Sequence, residues 1–223
     1  MPPTDTEYFK YQSEAFFQNG TKLWEHSNKS FKQSNNYIGL FLIDDTVDLK
    51  VHRKIAEEFS SYGIFQPNTI ILRGTAPDTS QTAPIGLNGG RLAEAIKTLT
   101  RCKNDEVFFG SLYMDDILDM IDWAADITIA TPKKSNINAN IPTTRNVIAF
   151  TDRYMRETAQ FTGYDASEGA LYVLFMLALA MHPNAPSIFA VDSFDHALNP
   201  RLAKKMIEVF CNQIVQQGKH VFL

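Results

Sequence analysis

"ASEGALYVLFMLALAMHPNAPSIFAVDSFDHALNPRL", residues 166–202, decides the fold of this chain. It contains an unbroken apolar run, Ala170–Met181. Those twelve residues fall short of the roughly 17–25 that span a bilayer. The run therefore predicts a helix buried on all sides in a protein core. "HPNAPS" follows as a turn, with two prolines as breakers. "IFAVD" is a short apolar strand that ends on Asp192. A turn and a helix over about 201–216 come next, and "KHVFL" opens another strand. This helix–strand–helix–strand order predicts an α/β fold with a largely parallel sheet.

Upstream, the same alternation continues. "YIGLFLID" (37–44) reads as a strand. "LKVHRKIAEEFSSYG" (49–63) reads as an amphipathic helix, with Val51, Ile55 and Phe59 on one face and a glycine stop at Gly63. "NTIILRG" (68–74) is a β-branched strand candidate. A Pro- and Gly-rich loop (75–90) leads into a helix at "RLAEAIKTLTRC". "EVFFGSLYM" reads as a strand and "MDDILDMIDWA" has helical spacing. "DITIATP" and "RNVIAFTDRYM" are two more strands. The first 36 residues are left unassigned, except that Asn19-Gly20 suits a hairpin turn. The expected organisation is an N-terminal segment 1–36, an α/β lobe 37–145 and a C-terminal block 146–223.

Composition narrows the function classes. The 223 residues suffice for one sizeable core, and the formal net charge of -4 does not call for nucleic acid as a partner. Cys102 and Cys211 form neither a metal-ligand spacing nor a disulfide framework, which fits a reducing cytoplasm. The N-terminus is polar, without an apolar signal core.

The candidate site lies in the C-terminal block. Ser167, Glu168 and Gly169 open the buried helix, where unpaired N–H groups and the positive dipole end favour a phosphate. The competing reading is a D-x-x-E capping box made by Asp165 and Glu168. A parallel strand ending in Asp192 would deliver a carboxylate to the sheet's C-terminal edge, where it can hold Mg²⁺. "LNGGR" (87–91) also has a phosphate-loop look, but no strand ending in Asp follows at a suitable distance, so a turn is expected there.

In order and spacing, "ASEGA", "IFAVD" and "ALNPRL" resemble the signature, Walker B strand and D-loop of ABC-type ATPase heads. The match is closest to SMC- and OLD-like, "AAA family" ATPases of the bacterial defence-associated kind. "FQPNTIILRGTAPDTSQTAPIGLNGGRLAEAI" (65–96) is similar to a linker region of the same ATPases. The resemblance implies a P-loop NTPase-like fold with some antiparallel strands, and ATP and Mg²⁺ as cofactors of the complete protein or complex. Ser167, Glu168 and Gly169 would then contact nucleotide, and Asp192 would hold the metal. The implied partners are a P-loop-bearing subunit, or a missing portion of the same protein, and an effector nuclease.

Three departures from the family pattern bear on activity. No G-x-x-x-x-G-K-[ST] occurs; the sole Gly-Lys pair, Gly218-Lys219, is followed by His220. Ser193 stands where the family places its catalytic glutamate, and a serine hydroxyl is a poor base near neutral pH. Asp195 is the candidate substitute, although in an extended segment residues 193 and 195 share a face that 192 does not, which suits a D-loop residue better than a replacement base. The chain also stops at Leu223, before the position of the family's switch histidine, as a fragment or split product would; His196 is read as a surface residue. The expectation is a partial ATPase domain, inactive alone and contributing in trans. The alternatives are a non-catalytic scaffold with a degenerate ATPase fold and a metal nuclease using Asp192, Asp195 and Asp44 or Asp45.

Overall fold

The computed structural model describes residues 13–18, 20–27, 57–80, 82–101, 114–130, 146–155 and 160–223. The chain divides into two compact units, Met1–Ser60 and Ser61–Leu223.

In the first unit, β1 (Ser13–Gln18) and β2 (Thr21–Ser27) pair antiparallel as a hairpin with a turn at Gly20, as the Asn-Gly signal predicts. Gly20 takes φ +79°, which the absence of a Cβ makes cheap. Residues 57–60 are helical, in agreement with the tail of the expected 49–63 helix. The expected strand 37–44 lies outside the described residues, as do Asp44, Asp45 and most of the expected strand 106–114.

The second unit is α/β. Its strand β3 (Ile64–Phe65) is followed at once by α1 (Thr69–Leu72). Here the sequence misleads: 68–74 was expected to be a strand, and the strand lies earlier and is only two residues long. The reason is local. Asn68 caps α1, and its side-chain oxygen accepts hydrogen bonds from the N–H groups of Ile70 and Ile71, at 3.1 and 3.4 Å. An N-cap interaction of this kind is worth about 1 kcal/mol, enough to tip a short β-branched segment into a helical turn.

Next come α2 (Leu92–Arg101), α3 (Met114–Met120) and the strands β4 (Ala124–Ala130), β5 (Val147–Asp152) and β6 (Gln160–Thr162). β4, β5 and β6 form an antiparallel sheet, with Ile127 opposite Phe150 and Phe150 opposite Phe161. The three-residue β6 is too short to register in the sequence pattern.

The apolar run is α4 (Glu168–Met181), and every residue from Ala170 to Met181 is buried. Then follow β7 (Ile188–Val191), α5 (Pro200–Gln216) and β8 (His220–Phe222). β7 lies between β3 and β8 and pairs parallel with both, so all three strands end at one edge. The α/β expectation thus holds, with a wholly parallel three-stranded sheet and a separate antiparallel one. Phe65 and Phe189 meet edge to face at 5.8 Å between centroids, and Phe175 of α4 closes on Phe65 at 6.5 Å. α4 also packs against α2 and α5, so it is the axis of the core. Among the described residues no helix is long and apolar enough to cross a membrane.

The end of α4 is held by the start of β8. Lys219 Nζ donates to the carbonyls of Leu179, Ala180 and His182 at 3.3, 2.7 and 3.0 Å, satisfying acceptors that a helix C-terminus leaves open. Burial pushes the Lys219 ammonium down to about 8, although the three carbonyls favour its charged form. His182, only 4% exposed, accepts from the Asn184 N–H through Nδ1, so it is held neutral. Burial, and then the charges of Lys219 and Arg91, push its pKa down to about 4, from 6.5.

A pH dependence follows from this. The folded pKa lies below the unfolded one, so the unfolded chain takes up the proton first as pH falls. The contribution of His182 is complete above pH 6.5 and is lost as pH falls toward 4. The loss is expected to be on the order of 2–3 kcal/mol. Urea midpoints measured across that range should drop in the native chain and flatten in a His182→Asn variant.

Candidate functional site

The parallel sheet fixes where the candidate residues stand. β7 hands its chain to Asp192, whose N–H still donates to the Phe65 carbonyl at 2.9 Å, the last rung of the β3–β7 ladder. Asp192 is therefore at the carboxyl edge of the sheet, exposed to solvent, where ligands of open α/β folds bind. The next residue, Ser193, takes φ +61° and donates its hydroxyl to Asp192 Oδ1 at 3.2 Å.

Residues 192–198 do not run extended, so the expected alternation of faces does not apply. The His196 N–H bonds back to the Ser193 carbonyl and the Leu198 N–H to that of Asp195, a turn closed by two such bonds. Ala197 is also left-handed, at φ +62°. Asp195 is exposed on this turn. Asn199 then caps α5 by accepting from the Leu202 N–H at 2.9 Å, and Pro200 takes the first helical position.

The start of α4 meets this turn. A Cβ on Gly169 would lie 3.0 Å from the Ala197 carbonyl oxygen, so glycine permits the close approach of helix and turn. Ser167 is the N-cap, its hydroxyl accepting from the Ala170 N–H at 3.3 Å. This replaces the capping box considered for Asp165 and Glu168. Asp165 instead accepts from the Thr162 N–H and hydroxyl at 3.3 and 3.0 Å. Glu168 points elsewhere: its Oε1 accepts from the Thr69 hydroxyl and lies 3.8 Å from His196 Nε2. Neither Thr69 nor His196 was legible as its partner, because they stand at the start of α1, 99 residues before it, and in the turn after β7, 28 residues after it.

On the other side of the α4 start, Ser167 and Gly169 line an open cleft of about 560 Å³ with Trp123, Asn199, Arg201 and Lys205. Asp119 and Asp122 line it too, so the cleft carries both signs of charge. Arg201 and Lys205 sit one helical turn apart on α5, a spacing the sequence shows but does not assign to a site.

The Gly89-Gly90 stretch is a turn with its donors engaged. The Gly90 N–H donates to Asp78 Oδ2 at 3.1 Å, and the Ser80 N–H and hydroxyl both donate to Oδ1 at 2.9 Å. Asn88 adds two longer bonds, through its backbone and its side chain. A carboxylate from the chain itself thus sits where a phosphate loop would hold its anion. Burial raises the Asp78 pKa, but the bonds from Gly90, Ser80 and Asn88 outweigh it and hold the group below its usual value.

Among the described residues no group of three or more His, Cys, Asp or Glu side chains is arranged to hold a metal ion. Cys211 is free and exposed. Comparison with protein-family models, with curated proteins and with solved structures returns no match.

Proposed function

We propose that residues 61–223 are the C-terminal part of an ABC-type ATPase head, which presents its helix start to nucleotide held by a P-loop-bearing partner. One observation carries this reading. The Ser-Glu-Gly helix start lies so close to the turn that follows an Asp-terminated parallel strand that a Cβ on Gly169 would stand 3.0 Å from the Ala197 carbonyl oxygen. In a P-loop NTPase-like head those two elements are the signature and the D-loop, and they act at one nucleotide. The open cleft beside Ser167 gives terminal phosphates room, and Arg201 and Lys205 on its wall are the cations that would meet them, beside the acids Asp119 and Asp122.

In this reading Ser167 and the first N–H groups of α4 contact the terminal phosphate across the interface. The α4 start supplies these donors without reorganisation, because the helix is buried along its whole length behind them. Asp192 would ligate Mg²⁺ directly or through water, together with groups of the partner. ATP and Mg²⁺ are the cofactors of the assembled site. Ser193 supplies no base, and its hydroxyl already donates to Asp192. Asp195 points from a turn instead of following the metal ligand directly, and would assist at most as a D-loop residue.

The account predicts no ATP turnover by the chain alone and turnover on mixing with a P-loop-bearing homologue from the same family. Asp192→Ala is expected to lower the turnover of the mixture by about 100-fold or more, since it removes a metal ligand needed in the transition state. A mixture that is inactive, or whose rate is indifferent to Asp192→Ala, would leave the scaffold reading, which Ser193 favours.

A further inference from the structure

We propose that Glu168 is a positioning residue, whose carboxylate latches the turn after β7 and the start of α1 to the start of α4. A glutamate in the first turn of a helix usually complements the dipole or closes a capping box. Here the cap is made by Ser167, and Glu168 is free for another task. A single oxygen, Oε1, takes the Thr69 hydroxyl on one side and faces His196 Nε2 at 3.8 Å on the other. Thr69 opens α1, which follows β3, and His196 lies in the turn after β7, so the segments leaving the carboxyl ends of two paired strands converge on one carboxylate.

The next turn of α4 repeats the arrangement. Tyr172, four residues on and so on the same helix face, donates its hydroxyl to the Pro67 carbonyl at 2.8 Å. Its ring lies against the His196 ring at 5.6 Å between centroids. Side chains on two successive turns of α4 thus bridge the β3–α1 segment and the turn after β7. The burial that accompanies this raises the Tyr172 pKa; a hydrogen bond with Thr69 opposes the rise and the Glu168 charge adds to it.

The turn needs such support. Ser193 and Ala197 both hold left-handed backbone without being glycine, at a cost of about 1–2 kcal/mol each. External contacts must over-determine that conformation, and Glu168, Tyr172, the Gly169–Ala197 approach and the packing of Phe194 on Phe210 are among them. In the ATPase reading, on which this consequence rests, the latch fixes the D-loop turn and Asp192 relative to Ser167.

The test is hydrogen exchange on the full chain, reading the amides of 193–199 against those of the α4 interior. Thr69→Val removes the hydroxyl, Thr69→Ser restores it, and Glu168→Gln keeps an acceptor for Thr69 while removing the charge that faces His196. Exchange of the turn is expected to speed up by about threefold or more in Glu168→Gln and in Thr69→Val, with the α4 interior unchanged. Thr69→Ser should return it to the native rate. Unchanged turn exchange in both variants, or no rescue by serine, would overturn the latch. Should Glu168→Gln loosen α4 as well, the Thr69 pair alone decides. None of these readings uses nucleotide, so a failed latch and a failed ATPase reading give separate results. In an active mixture, Thr69→Val should lower kcat and leave KM nearly unchanged.

Discussion

Replacing Asp78 by alanine is expected to destabilise the protein by about 3–5 kcal/mol, read as the shift of the urea midpoint. The carboxylate accepts from two backbone N–H groups and a hydroxyl within 3.1 Å, and from Asn88 at 3.4 Å. Asp78 is 7% exposed, so removing it strands those donors in a site with little access to water. Asp78→Asn keeps one acceptor oxygen and should lose about half as much. Gly90→Ala should be comparably severe, because the added methyl group would collide with the Asp78 side chain. A phosphate-binding loop would behave in the opposite way: removing a competing carboxylate would favour anion binding and leave the fold intact. The measurement therefore also separates the two readings of the Gly-Gly stretch.

Phe175→Ala is the second large effect, with an expected loss of about 3–5 kcal/mol. Phe175 is fully buried at the middle of α4. Its ring meets Phe65 edge to face, and Phe65 in turn meets Phe189 of the central parallel strand. Truncation leaves a cavity at the junction of helix, sheet and the Gly89 turn, in a close-packed core that relaxes only in part. Phe175→Leu fills most of the space and is expected to cost about 1–1.5 kcal/mol. Thermal or urea unfolding of the two variants checks the order. Equal, small effects would mean that α4 is not the axis of the core.

The sequence revealed the long elements because their signals are strong and local. α4 announces itself by apolar residues all round, and β7 by a short run ending in an acid after two prolines. The hairpin follows from Asn19-Gly20. The segment 68–74 misled because two isoleucines outweigh an asparagine in a pattern count. The fold is decided there by the Asn68 side chain reaching the next two free N–H groups. β3 and β6, with two and three residues, carry no periodicity at all.

The site was legible in part for the same reason. Ser167, Gly169 and Asp192 are local signals, and the structure brings Gly169 against the turn after β7. What Glu168 does was not legible. Its partners are remote in the chain, and D-x-x-E is satisfied on paper by a capping box that the folded chain does not use. The left-handed turn at Ser193 and Ala197 was also hidden, because neither residue type signals positive φ.

The central claim is that the α4 start and Asp192 act on nucleotide held by a P-loop-bearing partner. It is tested most directly by titrating a non-hydrolysable ATP analogue with Mg²⁺ into the chain alone, and into its mixture with a P-loop-bearing homologue, by calorimetry. The account predicts no saturable binding by the chain alone. In the mixture it predicts binding about tenfold or more tighter than to the homologue alone, with the gain lost in Ser167→Ala. Saturable binding by the chain alone, or a mixture no tighter than the homologue, would contradict it.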